Sequence, residues 1–319
     1  EDVVGQDSLT ERFRERFKNP YAVVHRGELH SVFLRACRDS DRVELRTSCE
    51  VVDYAQDGDT VTAKLATGET VTGRALIGAD GLWSNVRKRL IDDGAPRVSG
   101  HTTYRSVIPT EKTPEDLRWN AATLWAGPKC HIVHYPLSGW KSFNLVVTYH
   151  NDAPEPVAGK SVSKEEVSKG FEHIHPRPRQ IIEHGQDWKL WVLCDRDPVS
   201  NWVDGRVAVL GDAAHPMMQY MAQGACMAME DAVCLAHEME AASGDIETTL
   251  ESYRLKRVPR TARVQLQSRL MGEHIFHPDG ALAELRNLIM SSTTPDEWYD
   301  RIQWIYGGTG LAGGAESVR

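Results

Sequence analysis

The sequence predicts an α/β fold in which a domain of strand–turn–helix units is interleaved with an antiparallel-sheet domain and followed by C-terminal helices. Two strand–turn–helix units, at residues 75–90 and 205–236, predict the first domain. Between them, from about residue 100, short aromatic and β-branched runs separated by proline- and glycine-containing turns predict the second. The predicted boundaries are 1–99 and 201–265 for the first domain, 100–200 for the sheet domain and 266–319 for the helices.

Length and composition limit the classes of protein to which the chain can belong. Its 319 residues are enough for about two domains. A net charge of −8, without a block of basic residues, argues against nucleic acid as a partner. No apolar run approaches the roughly 18 residues of a transmembrane helix, the first residues do not form a signal peptide, and the six separated cysteines form no C-x-x-C pair. We therefore expect a cytoplasmic protein without disulfides, a metal site or a membrane partner.

The N-terminal segment departs from the usual start of a dinucleotide-binding fold. Residues 1–19 predict a turn and a charged amphipathic helix. Such folds normally begin instead with a strand, a G-x-G-x-x-G turn and a helix, so we expect this first unit to be missing from the chain. A GTGLAG sequence at 308–313 has the right glycines, but the six residues after it are too few for the helix and second strand of the fingerprint.

The segment GRVAVLGDAAHPMMQYMAQGACMAMEDAVCLA, at 205–236, predicts a buried strand, an acidic turn, a loop and a helix that begins at Gly224. A carboxylate directly after a strand can accept hydrogen bonds from ribose hydroxyls, and amides at a helix N-terminus stabilise an anion. Asp212 and the amides of Gly224, Ala225 and Cys226 are placed for these two functions. The alternative is a plain strand–loop–helix connection in which Asp212 only forms the turn.

A second unit, ALIGADGLWSNVRKRL at 75–90, has a strand, glycines that allow close backbone approach, and Ser84 in position to cap a helix that carries Arg87. An acidic and a basic side chain, Asp80 and Arg87, suit a ribose and a pyrophosphate. The alternative is a capped turn with a surface Asp80–Arg87 pair.

The sheet domain contains candidate catalytic residues. In the predicted strand HIVHYP, side chains alternate between two faces, so His131 and Tyr135 share one face and His134 points to the other. Histidine is the natural base near neutral pH, and tyrosine can orient a phenolate by hydrogen bonding. The opposite directions of His131 and His134 argue against a metal site. The alternative for His131 is a buried, hydrogen-bonded sheet histidine.

Together these segments resemble the class A FAD-dependent aromatic hydroxylases, the monooxygenases related to p-hydroxybenzoate hydroxylase. GDAAHPM…GACMAMEDA resembles the second flavin-binding motif of that family, GADGLWSNVR matches its GADG-x-x-S-x-VR motif, and His25-Arg26…Leu29 resembles the entry to a helix whose arginine reaches the flavin. The resemblance implies bound FAD, with NADH and O2 as co-substrates. The residues that it assigns to FAD are Arg26, Val51 (beside the adenine), Asp80, Asp212, Gly224, Ala225 and Cys226.

Within the family, the combination of H-x-x-x-Y-P-L with HPMMQYMAQGA is most similar to the members that hydroxylate 3-hydroxybenzoate to gentisate. That similarity implies that His131 and Gln219 flank the phenol, that Tyr135 lies beside them, and that His215 shapes the loop after Asp212. Hydroxylation of salicylate or 6-hydroxynicotinate, a flavoprotein oxidase or dehydrogenase, and a non-catalytic remnant of an FAD domain stay open as alternatives. The apolar C-terminal helical pair predicts a homodimer.

Overall fold

The computed structural model describes residues 3–6 and 9–311, so the last two residues of the GTGLAG sequence lie outside the described part of the chain. Contacts divide the chain into two units. Unit 1 comprises residues 1–45, 98–193 and 272–304, and unit 2 comprises residues 46–97, 194–271 and 305–319. Within residues 3–6 and 9–311, no helix has the length and hydropathy needed to cross a membrane.

Helices and strands are interspersed along the chain, as expected for the predicted α/β class. The helices are α1 (Glu11–Phe17), α2 (Arg26–Arg38), α3 (Asn85–Leu90), α4 (Lys164–Ser168), α5 (Pro176–His184), α6 (Gly224–Ala241), α7 (Ile246–Met271), α8 (Gly280–Ser292) and α9 (Pro295–Tyr306). The strands are β1 (Val51–Asp57), β2 (Thr60–Leu65), β3 (Thr70–Gly73), β4 (Leu76–Gly78), β5 (Arg97–Pro109), β6 (Thr123–Gly127), β7 (Cys130–Leu137), β8 (Ser142–His150), β9 (Ala158–Ser161), β10 (Lys189–Asp195), β11 (Val203–Asp204) and β12 (Val207–Val209).

Unit 1 is built on a six-stranded sheet with the order β6-β7-β8-β5-β10-β9. The β6–β7, β7–β8, β5–β8 and β9–β10 pairs are antiparallel, which confirms the predicted antiparallel sheet. One face of the sheet is apolar and includes Ile132, Leu145 and Val147. Helices α4 and α5 pack on this face through side chains such as Val167 and Ile181. This hydrophobic cluster therefore lies on one side of the sheet.

Residues 1–45 belong to unit 1, whereas the sequence pattern assigns them to the first domain. Within unit 1, helix α1 packs on α9. The rings of Phe13 and Phe17 lie 6.2 and 5.6 Å from the ring of Tyr299, and Arg16 forms an ion pair with Asp300 at 2.7 Å.

Unit 2 contains two small sheets. Strands β1, β2 and β3 form an antiparallel meander, and β11, β12 and β4 form a second sheet in which β12 and β4 are parallel. All three residues of β12 are fully buried, as predicted for the strand before Asp212. The Tyr253 hydroxyl of α7 donates a hydrogen bond to the Val209 carbonyl at 3.0 Å, which ties α7 to the end of β12.

Helix α7 continues through a proline. Proline is favoured in the first turn of a helix, but α7 begins at Ile246 and Pro259 lies inside it. A proline inside a helix costs about 3 kcal/mol. The turns before it bury Leu250, Tyr253 and Arg257, and this packing outweighs the local cost.

Gly78, at the end of β4, permits the close packing of α3 on the parallel sheet. A methyl group at this position would lie 2.6 Å from Cβ of Val86. We therefore expect Gly78→Ala to lower the free energy of unfolding by about 1–3 kcal/mol through overpacking, measured by urea unfolding. The matched control is Gly73→Ala, whose new methyl group would meet its nearest neighbour, the Ala75 carbonyl, at 3.5 Å. Equal urea midpoints for the two variants would contradict this packing constraint.

Candidate functional site

The N-terminus of α6 and the turn after β12 bring four of the predicted cofactor residues together. Asp212 lies in a short turn, Gly211–Ala213, and α6 begins at Gly224 without a side-chain cap on its first amides. A methyl group built on Gly224 would lie 3.9 Å from Oδ1 of Asp212, so the carboxylate is adjacent to the first turn of the helix. The amides of Gly224, Ala225 and Cys226 and the Asp212 carboxylate thus form one polar surface.

The Asp212 side chain is exposed, but its carboxyl group has a raised pKa. Desolvation by the surrounding chain raises this pKa, and the charge of His215 opposes the shift. The preceding Gly211 has a φ of +60°, and a methyl group there would lie 3.2 Å from Cβ of Ala228 in α6. Glycine is therefore required where the chain turns between β12 and α6.

A buried carboxylate, Asp231 of α6, holds this turn in place. Its Oδ2 accepts hydrogen bonds from the Gly211 amide at 3.0 Å and from Nε2 of His215 at 2.6 Å. Its Oδ1 accepts one from Nε of Arg257 at 2.7 Å. We call Asp231, His215, Arg257 and Glu230 the Asp231 cluster, since Glu230 also bonds Arg257. His215 thus shapes the loop after Asp212, as the sequence analysis expects.

The charge of Asp231 is stabilised by its partners. Burial alone would raise the pKa of this carboxyl group, but the hydrogen bonds and charges of His215 and Arg257 outweigh burial and lower the pKa. The Asp231 and His215 side chains are fully buried, and Arg257 is almost fully buried. Ionic groups this deep in a protein are tolerated only when they are paired and hydrogen-bonded.

Asp80, which the resemblance assigns to the cofactor, makes its hydrogen bonds to α3. Its carboxylate accepts from the Ser84 hydroxyl at 2.5 Å and from the amides of Asn85 and Val86 at 2.8 and 3.2 Å. The Asn85 side chain in turn donates to the carbonyl of Val51 at 2.8 Å. Asp80 and Val51 are therefore both linked to the start of α3.

The surface Asp80–Arg87 pair considered in the sequence analysis is not formed. Arg87 is almost fully buried and pairs with Asp93 at 2.6 Å. It also donates to the carbonyls of Ala213 and Ala214 at 2.9 and 2.7 Å. Arg87 therefore connects the GADG segment directly to the turn that carries Asp212.

The two remaining predicted residues outside the sheet lie in different units. Arg26 is the first residue of α2 in unit 1 and is exposed. Gln219 is half-buried in a short turn, Gln219–Met221, on the loop between Asp212 and α6 in unit 2.

The second group of candidate residues lies on the sheet of unit 1, on the face opposite to the apolar core. Strand pairing aligns His131 with Thr148 and Thr103, and Tyr135 with Asn144 and Val107. Since directly opposed residues point to the same side of a sheet, these rows lie on one face. We call this the polar face. It is formed by Thr103, Arg105, His131, Tyr135, Asn144 and Thr148.

His131 and Tyr135 on the polar face differ in burial and in the direction in which their pKa is shifted. His131 is buried, and its Nδ1 shares a hydrogen bond of 2.7 Å with Nε2 of His277. Burial, aided by the charges of His277 and His101, lowers the pKa of His131 well below its ordinary value, so its ring is neutral at pH 7. Tyr135 is half-buried, and burial raises the pKa of its hydroxyl while Arg105 opposes that shift.

His134 points away from His131, to the apolar side, where its ring stacks with that of Trp125 at 6.3 Å. Burial lowers the pKa of His134 to about 4. The two histidines of the HIVH sequence therefore lie on opposite faces of the strand, as side-chain alternation requires.

Arg105 is a residue of the polar face that the sequence analysis does not identify. Pairing aligns it with Val146 and Val133, in the row between those of His131 and Tyr135. Desolvation lowers the pKa of Arg105, the charge of Tyr135 raises it and the charge of Arg26 lowers it. The available signal is a lone arginine within an alternating strand, but strand register, which sequence does not give, decides its neighbours.

Comparisons with known proteins show what the chain as a whole is similar to. The FAD-binding domain family matches residues 11–268. The chain is 55% identical over 299 residues to 3-hydroxybenzoate 6-hydroxylase 1 of Aquipseudomonas alcaligenes, covering 94% of this chain and 76% of that protein. It is 46% identical over 305 residues to 3-hydroxybenzoate 6-hydroxylase of Polaromonas naphthalenivorans, covering 96% and 76%. A solved salicylate hydroxylase substrate complex has a TM-score of 0.74 at 26% identity, covering 88% of this chain and 72% of that one.

The Asp231 cluster predicts a large loss of stability when its central charge is removed. We expect Asp231→Asn to lower the free energy of unfolding at pH 7 by about 3 kcal/mol or more, because Arg257 and His215 lose a buried partner. The pKa of Asp231 is lower in the folded protein, so its contribution is present above the unfolded pKa and lost as pH falls through the folded value. The variant should therefore lose less stability than the parent on acidification, measured by urea unfolding across pH.

The matched control for Asp231→Asn is Glu251→Gln, which removes an acidic partner of Arg254 at an exposed i,i+3 pair. Exposed pairs contribute about 0–1 kcal/mol. If the two variants lost equal stability, the Asp231 cluster would not be the main constraint on the turn.

Proposed function

This chain belongs to the FAD-binding domain family, and from that premise we propose that it is an FAD-dependent monooxygenase that uses NADH and O2 to hydroxylate 3-hydroxybenzoate to gentisate. The observation that carries the proposal is 55% identity, over 94% of the chain, to an enzyme named for 6-hydroxylation of this acid. The polar face supports it, because it presents a neutral histidine, a tyrosine and an arginine to a ligand with a phenol and a carboxylate.

The residues around Asp212 fit FAD by their chemistry. A carboxylate suits the hydroxyls of a ribityl or ribose group, and the uncapped first amides of α6 suit a negative charge. Asp212 and the amides of Gly224, Ala225 and Cys226 would hold the cofactor there. When bound, FAD supplies the redox chemistry by taking a hydride from NADH and activating O2.

The resemblance assigns three further residues to the cofactor. Asp80 and Val51 take part through the turn at 78–81, which their bonds to α3 hold in shape. Arg26 offers a guanidinium that can bind a pyrophosphate or ring carbonyl in two places.

The polar face provides groups for the phenolic acid. The neutral imidazole of His131 accepts the proton of the substrate phenol. The resulting phenolate makes the aromatic ring of the substrate more electron-rich. Tyr135 donates a hydrogen bond to the substrate, and Arg105 binds its carboxylate. The resemblance assigns Gln219, in unit 2, a hydrogen bond to the substrate as well.

Hydroxylation of salicylate is the second candidate, and the likeness to the salicylate hydroxylase complex favours it.

We further propose that the protein forms a homodimer. Helix α8 supports this proposal because Leu282, Leu285 and Leu288 are each more than half exposed on it, and rows of exposed apolar side chains mark interaction surfaces. Light scattering of the purified protein measures the mass directly.

Substrate selectivity tests the proposed reaction. With the FAD-loaded protein we expect 3-hydroxybenzoate to accelerate NADH oxidation and to yield gentisate, whereas salicylate and 6-hydroxynicotinate yield no hydroxylated product. Chromatography of each reaction identifies the product. Preferential turnover of salicylate would move the second candidate to first place, and hydrogen peroxide without any hydroxylated product would indicate an oxidase.

Arg105 predicts how the substrate carboxylate is recognised. We expect Arg105→Gln to raise the KM for 3-hydroxybenzoate by about 10- to 100-fold, the range of a charge-assisted hydrogen bond. Turnover of 3-hydroxybenzyl alcohol, which has no carboxylate, should change little, so steady-state assays with both compounds separate the two effects.

The matched control for Arg105→Gln is Arg177→Gln. Arg177 lies over the rings of Trp119 and Trp125, at the apolar side of the sheet. The KM of the Arg177→Gln variant for 3-hydroxybenzoate should equal that of the parent protein. An equal rise of KM for the acid and the alcohol in Arg105→Gln would exclude the carboxylate role.

A further inference from the structure

Four histidines of unit 1 form a continuous line that begins at His131. Nδ1 of His131 and Nε2 of His277 are 2.7 Å apart. The ring of His277 lies 5.0 Å from that of His101, and the ring of His101 lies 4.2 Å from that of His150. Nε2 of His150 is 3.3 Å from a carboxylate oxygen of Asp152. We call these four residues the histidine line.

The sheet and one added segment assemble this line. His101 and His150 are directly paired between β5 and β8, two residues from the row that contains His131, so all three point to the polar face. His277 follows the segment Gly272–Phe276. The backbone of His277 is fixed at this position by a bond from the Lys129 amide to its carbonyl at 3.3 Å.

Gly100 permits the close approach of Asp152 and His150 to the end of β5. Gly100 has a φ of +77°, and a methyl group there would lie 3.2 Å from Cα of Asp152 and 3.5 Å from the His150 ring. Its carbonyl accepts hydrogen bonds from the amides of Asn151 and Ala153. The turn that carries Asp152 therefore packs directly against the end of β5.

Exposure rises steadily along the line. His131 is 2% exposed and His277 is 8% exposed, whereas the side chains of His150 and Asp152 are 35% and 84% exposed. One end of the line is therefore inside the protein at the proposed base, and the other end is in solvent.

We propose that His277, His101 and His150 form a proton relay that carries the phenolic proton of the substrate from His131 to solvent beside Asp152. The proposal rests on the proposed function, in which His131 accepts that proton. These three residues act through His131 and do not contact the substrate.

Neutral imidazole rings suit this task because each has one N–H donor and one nitrogen that accepts. The phenol O–H bond breaks as an N–H bond forms at His131, and His131 releases the proton on its Nδ1 to Nε2 of His277. The rings of His277, His101 and His150 are in contact, with centroids 4.2–5.0 Å apart, and we infer that each of the following transfers passes through one bridging water. The net result is a phenolate in the site and one proton in bulk water, with no change of oxidation state.

The low pKa of His277 prevents its ring from holding the proton. Burial and the charges of His101 and His150 lower the pKa of His277 to about 3. A ring with this pKa stays neutral at pH 7, so the proton passes through it and does not remain on it.

The test measures proton release when substrate binds to the FAD-loaded protein without NADH. 3-Hydroxybenzoate is mixed with the protein in weak buffer, and stopped-flow absorbance follows both phenolate formation and a pH indicator. We expect His277→Gln to slow both signals by about tenfold or more, because glutamine can hydrogen-bond to His131 but cannot pass a proton on. The dissociation constant of 3-hydroxybenzoate should stay close to that of the parent.

His150→Gln provides a second variant whose position near the surface keeps the core intact. We expect the same slowing, and added imidazole should restore its rate, since imidazole in solvent can replace the outermost ring. The matched control is His184→Gln, an exposed histidine at the end of α5, which should behave like the parent.

Three results would overturn the relay. Unchanged proton-release rates in both His277→Gln and His150→Gln would exclude it while leaving the proposed function intact. Binding of 3-hydroxybenzoate to the parent protein without proton release would exclude it as well. Failure of the parent protein to bind 3-hydroxybenzoate would contradict the proposed function and the relay together.

Discussion

The buried charge of Asp231 is the interaction on which the arrangement of unit 2 depends. A carboxylate that is fully removed from water is costly unless every partner is in place, so its bonds to Gly211, His215 and Arg257 permit one conformation of the turn after β12. The same turn receives two hydrogen bonds from Arg87. The exposed Asp212 is therefore placed beside the first amides of α6 by buried side chains.

In unit 1 the corresponding constraint is the alternation of side chains in a sheet. One face of β5, β7 and β8 is committed to the apolar core and to α4 and α5. The other face is free to carry His131, Tyr135 and Arg105 without weakening that core. The same alternation places His101 and His150 on the face that carries His131, so strand geometry positions three of the four histidines and the segment after α7 supplies His277.

Local patterns in the sequence predict much of this arrangement. The buried strand before Asp212, the helix that begins at Gly224 and the shared face of His131 and Tyr135 each depend on spacing within a few residues. Contacts between distant segments are not predictable in this way. The bond of His131 to His277 spans 146 residues, and the row that contains Arg105 is set by strand register. The start of α7 before Pro259 depends on tertiary packing that overrides local preference.

In the proposed reaction this chain inserts one atom of O2 into the ring of 3-hydroxybenzoate. The most direct test is mass spectrometry of the product formed by the FAD-loaded protein with NADH under ¹⁸O2. We expect gentisate that carries one ¹⁸O atom on its ring. Unlabelled gentisate, a different ring isomer, or NADH consumed with only labelled hydrogen peroxide would contradict it.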